Sequence, residues 1–251
     1  MNGINARQKE IMDRLNAKGE VRIAELKDRF QVTEMTIRRD LERLEMLGLV
    51  KRTFGGAILA GKDIALGERA AMRMEEKAKI GKLAAGLIRP GESIYIDSGT
   101  TTLQLARHLP AGLEITAVTN ALNVASELMD RNIPAIVTGG ILIGTTSSMA
   151  GPVATSTLAG MAFDRVFMGA TGLDAEHGFS NSNIHEAEIK SIAIRQAREV
   201  NMLIDSSKFG IRALVSFAPL DKAHRIICER APEGPLFLAC KEAGVDILEA
   251  E

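Results

Sequence analysis

Apolar positions recur at helical spacing three times within the first sixty residues. Ile11, Met12 and Leu15 share one face of a segment from about Ala6 to Lys18, which Gly19 stops. A short extended piece, Val21 to Ile23, leads into a second helix with Leu26 and Phe30 four apart. The turn Gln31-Val32-Thr33 follows, and Thr33 is placed to cap a third helix that ends at Gly48. Stepping 100° per residue from Ile37 brings Leu41, Leu44 and Gly48 within about 40° of it, so that stripe is expected to be buried. Met35, Arg39 and Met46 fall on the opposite side, with Thr36, Arg38, Glu42 and Arg43 on the flanks. Alternation from Leu49 to Ile58, broken by Gly55-Gly56, predicts a short β-hairpin with Lys51 and Arg52 near its tip.

The pattern then changes. Residues 59–75 keep no clean period and read as a linker between a domain over 3–58 and another over 76–251. A helix is predicted from about Glu75 to Leu87, and Pro90-Gly91 marks a turn. Seven strand-like runs follow: 93–97, 115–118, 135–138, 165–169, 201–205, 225–228 and 245–248. Helical stretches lie between several of them: Thr101 to Leu109, Ala121 to Met129, Val153 to Met161, Ile184 to Arg198 and Leu236 to Ala243. This alternation predicts an α/β domain with a mostly parallel sheet covered by helices on both faces.

Composition narrows the class without deciding function. Charged residues make up 25% of the 251 and apolar residues 46%, the ordinary mix of a globular protein. No apolar run approaches the ~20 residues of a membrane helix, and the first ten residues lack the apolar core of a signal peptide, so a cytoplasmic location is expected. Cys228 and Cys240 have no metal-ligand spacing and are expected as buried thiols. Four histidines, His108, His177, His185 and His224, are scattered, so neither a metal nor a cofactor is called for. The net charge is −1, but residues 1–60 hold 12 Lys and Arg against 9 Asp and Glu. That mild excess directs attention to the N-terminal end.

Helix, helix, turn, helix and hairpin in that order make a winged helix-turn-helix, which places its last helix in the major groove of DNA. Arginine bonds guanine edges or phosphates, and a methyl-bearing side chain can touch a thymine methyl. Thr33, Met35, Thr36, Arg38, Arg39, Arg43, Lys51 and Arg52 are therefore the candidate DNA contacts. The competing reading of an Arg-Arg pair on a helix is an ordinary solvated face.

In a parallel sheet, ligands bind beyond the carboxyl ends of the strands. The first strand of the second domain ends in Asp97-Ser98-Gly99-Thr100-Thr101-Thr102 and runs into a helix. Hydroxyls, a glycine and free helix amides together suit a phosphate. The Gly-Lys-Ser/Thr ending of a Walker loop is missing. The next tips offer Thr119, Asn120 and Asn123, then Thr138-Gly139-Gly140, then Gly169 to Gly172, then Asp205 to Lys208. Each tip alone is normal turn chemistry; together they predict a polar cleft that accepts a phosphorylated ligand.

The segment Glu25 to Leu59, with its Thr36-Ile37-Arg38-Arg39-Asp40-Leu41 core, resembles the DeoR-type bacterial transcriptional regulators. The resemblance implies a helix-turn-helix over about 20–39. One departure is Arg22, where members often carry Ser or Thr; Arg cannot accept from the orphan amides of the second helix, a loss of about 1 kcal/mol. The runs from Ile96 to Thr101, Thr119 to Ala125, Thr138 to Gly140, Asn183 to Lys190 and Asp205 to Gly210 resemble the family's effector domain, itself similar to ribose-5-phosphate isomerases. The resemblance implies a phosphorylated sugar or sugar-alcohol effector, contacted by residues 97–102, Asn120, Glu186, Lys190 and Lys208. It also implies a homodimer or homotetramer on operator DNA.

Two functions of different class follow. One is a repressor released from DNA by a phosphosugar. The other is an isomerase with an appended DNA-binding module. Enediol isomerisation needs a carboxylate to move the proton. The similar isomerases end the fourth strand in Gly-Ala-Asp-Glu, whereas this chain reads Gly169-Ala170-Thr171-Gly172, with Asp174 beyond. That difference favours a sensor over an enzyme. Transcriptional activation stays open, because the sign of regulation depends on operator position.

Overall fold

The computed structural model describes residues 5–18, 20–46, 49–59 and 72–251. Two compact units divide the chain, Met1–Met72 and Arg73–Glu251.

In the first unit, α1 (Ala6–Lys18), α2 (Ile23–Phe30) and α3 (Glu34–Met46) enclose a small core. Ile11, Leu15, Val21, Ile23, Leu26, Ile37, Leu41 and Leu44 meet there, so the stripe expected on α3 is the buried one. Thr33 caps α3, its Oγ1 accepting from the Thr36 amide at 3.3 Å. Arg22 precedes α2 with extended backbone and makes no side-chain cap bond. The strands β1 (Glu20–Arg22), β2 (Val50–Arg52) and β3 (Gly56–Leu59) form an antiparallel sheet in the order β1-β3-β2. The expected wing is thus present, with a third strand laid along it. Gly56 permits this: a Cβ there would stand 1.7 Å from the Val21 carbonyl oxygen.

Two boundary readings need correction. The extended piece begins at Glu20, and Ile23 already belongs to α2. The linker read over 59–75 begins and ends inside elements, since Leu59 closes β3 and Met74 opens the next helix; 60–71 lie outside the described residues. The stops expected at Gly19 and Gly48 also lie outside them.

The second unit is built on a seven-stranded parallel sheet. Its strands are β4 (Ser93–Ile96), β5 (Thr116–Thr119), β6 (Ala135–Val137), β9 (Phe163–Met168), β12 (Ala197–Leu203), β14 (Arg225–Cys228) and β15 (Asp246–Glu249). Their order is β15-β14-β12-β9-β4-β5-β6, and every adjacent pair is parallel. All seven strands read from the sequence are in it.

Period-two alternation sorts the side chains to two faces. Ile94, Ile96, Phe167, Leu203 and Ile227 pack under α4 (Met74–Ala85), α5 (Thr100–His108) and α6 (Leu122–Asp130). Tyr95, Val166, Met168, Val200, Met202 and Ile226 face the other way. They pack against α7 (Pro152–Ala159), α8 (Ile184–Arg195) and α9 (Gly234–Glu242).

Two insertions were not legible in the sequence. β7 (Ile141–Ile143) and β8 (Ser148–Ala150) form an antiparallel hairpin after β6. β10 (Gly172–Asp174), β11 (Gly178–Asn181) and β13 (Val215–Ala218) form a separate antiparallel sheet. Gly172 opens β10 at a crowded point: a Cβ would lie 2.2 Å from the Ile211 carbonyl oxygen. The helix expected from Ile184 to Arg198 stops at Arg195, because Ala197 is already paired with Phe163 of β9.

Candidate functional site

The sequence singled out two surfaces. On α3, Met35 is 59% exposed, and Arg38, Arg39 and Arg43 are exposed. Arg38 is drawn along the helix to Glu34, with Nη2 2.6 Å from Oε1. Among the described residues neither Arg39 nor Arg43 has an ion-pair partner. Thr36 is half-buried, and its hydroxyl lies 2.9 Å from that of Thr33. Asp40, next to Arg39 in the chain, points inward; its carboxylate accepts from Arg7 Nε and, at 2.9 Å, from Gln8 Nε2. These bonds fix the rotation of α3 about its axis, so Arg39 is held outward.

Arg52 stands next to the wing's turn, as expected, but its side chain does not reach outward. It ends β2, and its guanidinium turns back to α3, giving 2.8 Å to Glu45 and 2.9 Å to Glu42. The hydrogen bond to Glu45 raises its pKa above the ordinary arginine value, outweighing desolvation. At the tip itself stands Phe54, 70% exposed, which pattern reasoning passed over. Lys51 is half-buried on the same strand.

The second surface lies at the strand tips. The chain leaves β4 toward β5 and β6 on one side, then returns to lay β9, β12, β14 and β15 on the other. The order therefore reverses between β4 and β9, which is where an open α/β sheet leaves a crevice. Asp97 and Gly169 follow those two strands, and the Gly169 amide donates to Asp97 Oδ2 at 3.0 Å. Lys190 of α8 donates to the same oxygen and, at 3.1 Å, to the Gly169 carbonyl. Its ammonium also sits 5.7 Å from the centre of the Phe217 ring.

Burial pushes the Asp97 carboxyl above its ordinary range, against the pull of Lys190 and the Gly169 amide. Its second oxygen, Oδ1, is buried and has no hydrogen-bond partner. An unmet carboxylate oxygen at a sheet's crevice is an acceptor awaiting a donor.

Glu186, one turn before Lys190, is also buried. Ser148 donates to its Oε1 at 2.8 Å and Asn181 to its Oε2 at 2.9 Å. Burial would raise its pKa, but Lys190 and hydrogen bonds from Thr146, Asn181 and Ser148 together hold it below the ordinary value. Tyr95 donates its hydroxyl to Asn120 Oδ1 at 2.9 Å. Burial first, then Asp97 and Glu186, push that phenol well up. Ser148, Asn181 and Tyr95 were missed by the motif reading, because the first two sit in the unforeseen antiparallel insertions.

The remaining candidates divide by what already satisfies them. Asn120 is committed to Tyr95 and to the Met149 carbonyl, at 3.1 Å, and the Thr119 hydroxyl accepts from the Ala121 amide. The Thr102 hydroxyl bonds back to the Gly99 carbonyl at 3.2 Å and is fully buried. These three side chains hold backbone in place. Asn123 differs: both polar atoms of its amide are buried without a partner. Ser98, Thr100 and Thr101 lie buried around the start of α5, which has no side-chain cap. Gly139 and Gly140 take φ of 71° and 113° at the tip of β6. Lys208 closes a 3₁₀ turn, Ser206–Lys208, whose amide at Ser207 is capped by Asp205. Asp174 is bound by Arg212 and two backbone amides, so it is a structural acid of β10. Among the described residues no cluster of His, Cys, Asp or Glu could hold a metal ion.

Comparison with known proteins gives this pair of surfaces its family. The "DeoR-like helix-turn-helix domain" matches residues 7–62, and the "DeoR C terminal sensor domain" matches 72–230. The chain belongs to the DeoR family. It is a helix-turn-helix transcriptional regulator with a sensor domain. A Bacillus subtilis regulator, the uncharacterized HTH-type YulB, is 36% identical over 227 residues, 89% of this chain and 88% of that protein. The putative aga operon transcriptional repressor of Escherichia coli O157:H7 is 30% identical over 98% of this chain and 94% of its own. Among solved structures, ribose 5-phosphate isomerase A of Methanocaldococcus jannaschii aligns over 54% of each chain, with TM-score 0.41 and 19% identity. Among the described residues no helix of this family member is long and apolar enough to cross a membrane.

Proposed function

We propose that this regulator is a repressor of a sugar or sugar-alcohol operon, and that a phosphorylated sugar at the strand tips releases it from its operator. The observation that carries the reading is Asp97 Oδ1, a buried acceptor with no donor at the switch point of the sheet. A sugar hydroxyl is the complementary group. The uncapped start of α5 supplies amides for the phosphate, and Asn123 supplies a second unmet amide. Lys208 adds charge at the next tip but one. The names of several relatives point the same way, the putative aga operon transcriptional repressor and the GlcR repressor of Bacillus subtilis among them.

Effector binding must favour a conformer that holds DNA poorly, by roughly 1–3 kcal/mol of coupling. A thermal-shift screen of the full chain against phosphorylated sugars and alditols tests the site, since a ligand of the folded state raises the melting temperature. The compound that shifts melting should also release operator in a fluorescence-anisotropy titration. Lys208→Ala should retain operator binding and lose release. Turnover of any such compound, followed by NMR, would overturn the sensor reading in favour of an isomerase.

A further inference from the structure

The two edges of the seven-stranded sheet are guarded differently. β15 carries exposed Asp246 and Glu249, charges that keep a foreign strand off an open edge. β6, at the other edge, is Ala135-Ile136-Val137 and carries none; among the described residues it pairs with β5 alone. Ile136 is 47% exposed and Val137 37%, although their side chains point to opposite faces.

The surroundings extend the contrast. One residue in four of the whole chain is charged, yet Asn132 to Phe163 contains no Asp, Glu, Lys, Arg or His. That stretch builds β6, the β7–β8 hairpin and α7. Ile141, Leu142 and Val153 stand exposed on it. Gly139, just past β6, has Val153 Cγ1 within 3.5 Å of its Cβ position, so that apolar group adjoins the end of β6, and Ile141 Cδ1 lies within 3.4 Å of the same position on Gly151, next to the start of α7.

We propose that this edge is where a second copy of the chain docks, β6 against β6, antiparallel about a two-fold axis. Charge selects the occupant. An acidic, basic or nucleic-acid partner finds no opposite sign here, whereas an uncharged patch meets its own copy without repulsion, as an isologous interface requires. The unpaired amides and carbonyls of β6 are complemented by an identical strand turned end for end. Area sets the extent. Two three-residue strands fall well short of the about 800 Å² per partner of a stable interface, so the hairpin and the first turn of α7 join the contact. The proposal does not depend on which effector the sensor binds.

Sedimentation velocity of the full chain tests it, with Ile136→Lys and Ile136→Glu prepared separately. In the antiparallel pair Ile136 faces its own copy. Each variant alone should therefore sediment one step lower in order than wild type, with association weakened by about a hundredfold. An equimolar mixture of the two should recover the wild-type state. Circular dichroism confirms that each is folded; Ile141→Lys, at a more exposed position, gives the same reading should either Ile136 variant fold poorly. Glu249→Lys at the guarded edge should leave association unchanged. A monomeric wild type, variants that associate normally, or a mixture that stays dissociated would each overturn the proposal. The last would mean that Ile136 does not face its own copy across the contact.

Discussion

Lys190 and Asp97, 93 positions apart, close on each other at the switch point of the sheet, with side chains 4% and 1% exposed. Breaking such a pair from one side strands a charge in a dry place, which costs about 3–5 kcal/mol. Lys190→Met should lower the urea-unfolding free energy of the sensor unit by that order. The double variant with Asp97→Asn should lose less than the two single losses combined. A drop below about 1 kcal/mol for Lys190→Met would show that the pair does not carry the local structure.

Glu186 makes a separate prediction about acid. Its carboxyl is held below the ordinary 4.5 in the folded chain, so the folded state favours its ionised form. That contribution is fully present above 4.5 and is lost as pH falls through the lower, folded value. Asp97 works with the opposite sign, because burial raises it above 3.8 and its ionisation costs stability as pH rises past that value. The stability difference between wild type and Glu186→Gln should be constant above 4.5 and shrink below it. Urea titrations at stepped pH read this directly; a difference that grows in acid would reverse the assignment.

Arg39 is held outward by the inward anchoring of Asp40, so Arg39→Ala should weaken operator binding by about 1–3 kcal/mol. Effector-induced thermal shifts should be unaffected. Arg29, exposed and paired with Glu10 at 2.5 Å, is the control whose removal should change little. Unchanged operator affinity for Arg39→Ala would move the DNA-reading face elsewhere on the unit.

Arg22 leaves the first amides of α2 without a side-chain acceptor. Arg22→Ser should supply one and stabilise the N-terminal unit by about 0.5–1 kcal/mol, whereas Thr33→Ala should cost about 1 kcal/mol at the start of α3. Thermal unfolding followed by circular dichroism compares the two. A melting temperature lowered by Arg22→Ser would show that the arginine has another task.

The helices and all seven parallel strands were legible because each carries its own period or apolar run. The insertions were not. β7, β8 and β10 are three residues each, too short to show alternation, and they exist because distant partners pair with them. The candidate site was legible in part for the same reason. Asp97, Glu186 and Lys190 belong to recurrent motifs. The support of Glu186 by Ser148 and Asn181 joins elements whose pairing no local signal announces. Asp40 reads as one more acid on a charged helix, and only its bonds to Arg7 and Gln8 reveal that it is an anchor. The place of Arg52 beside the wing's turn is legible in the sequence, but the claim of Glu42 and Glu45 on its guanidinium is not.

At Gly172 the Ile211 carbonyl occupies the space a side chain would need. Any residue larger than glycine there would first require the turn that follows Lys208 to be rebuilt, so main-chain crowding keeps the entrance to β10 bare and leaves variation at this tip to the neighbouring positions.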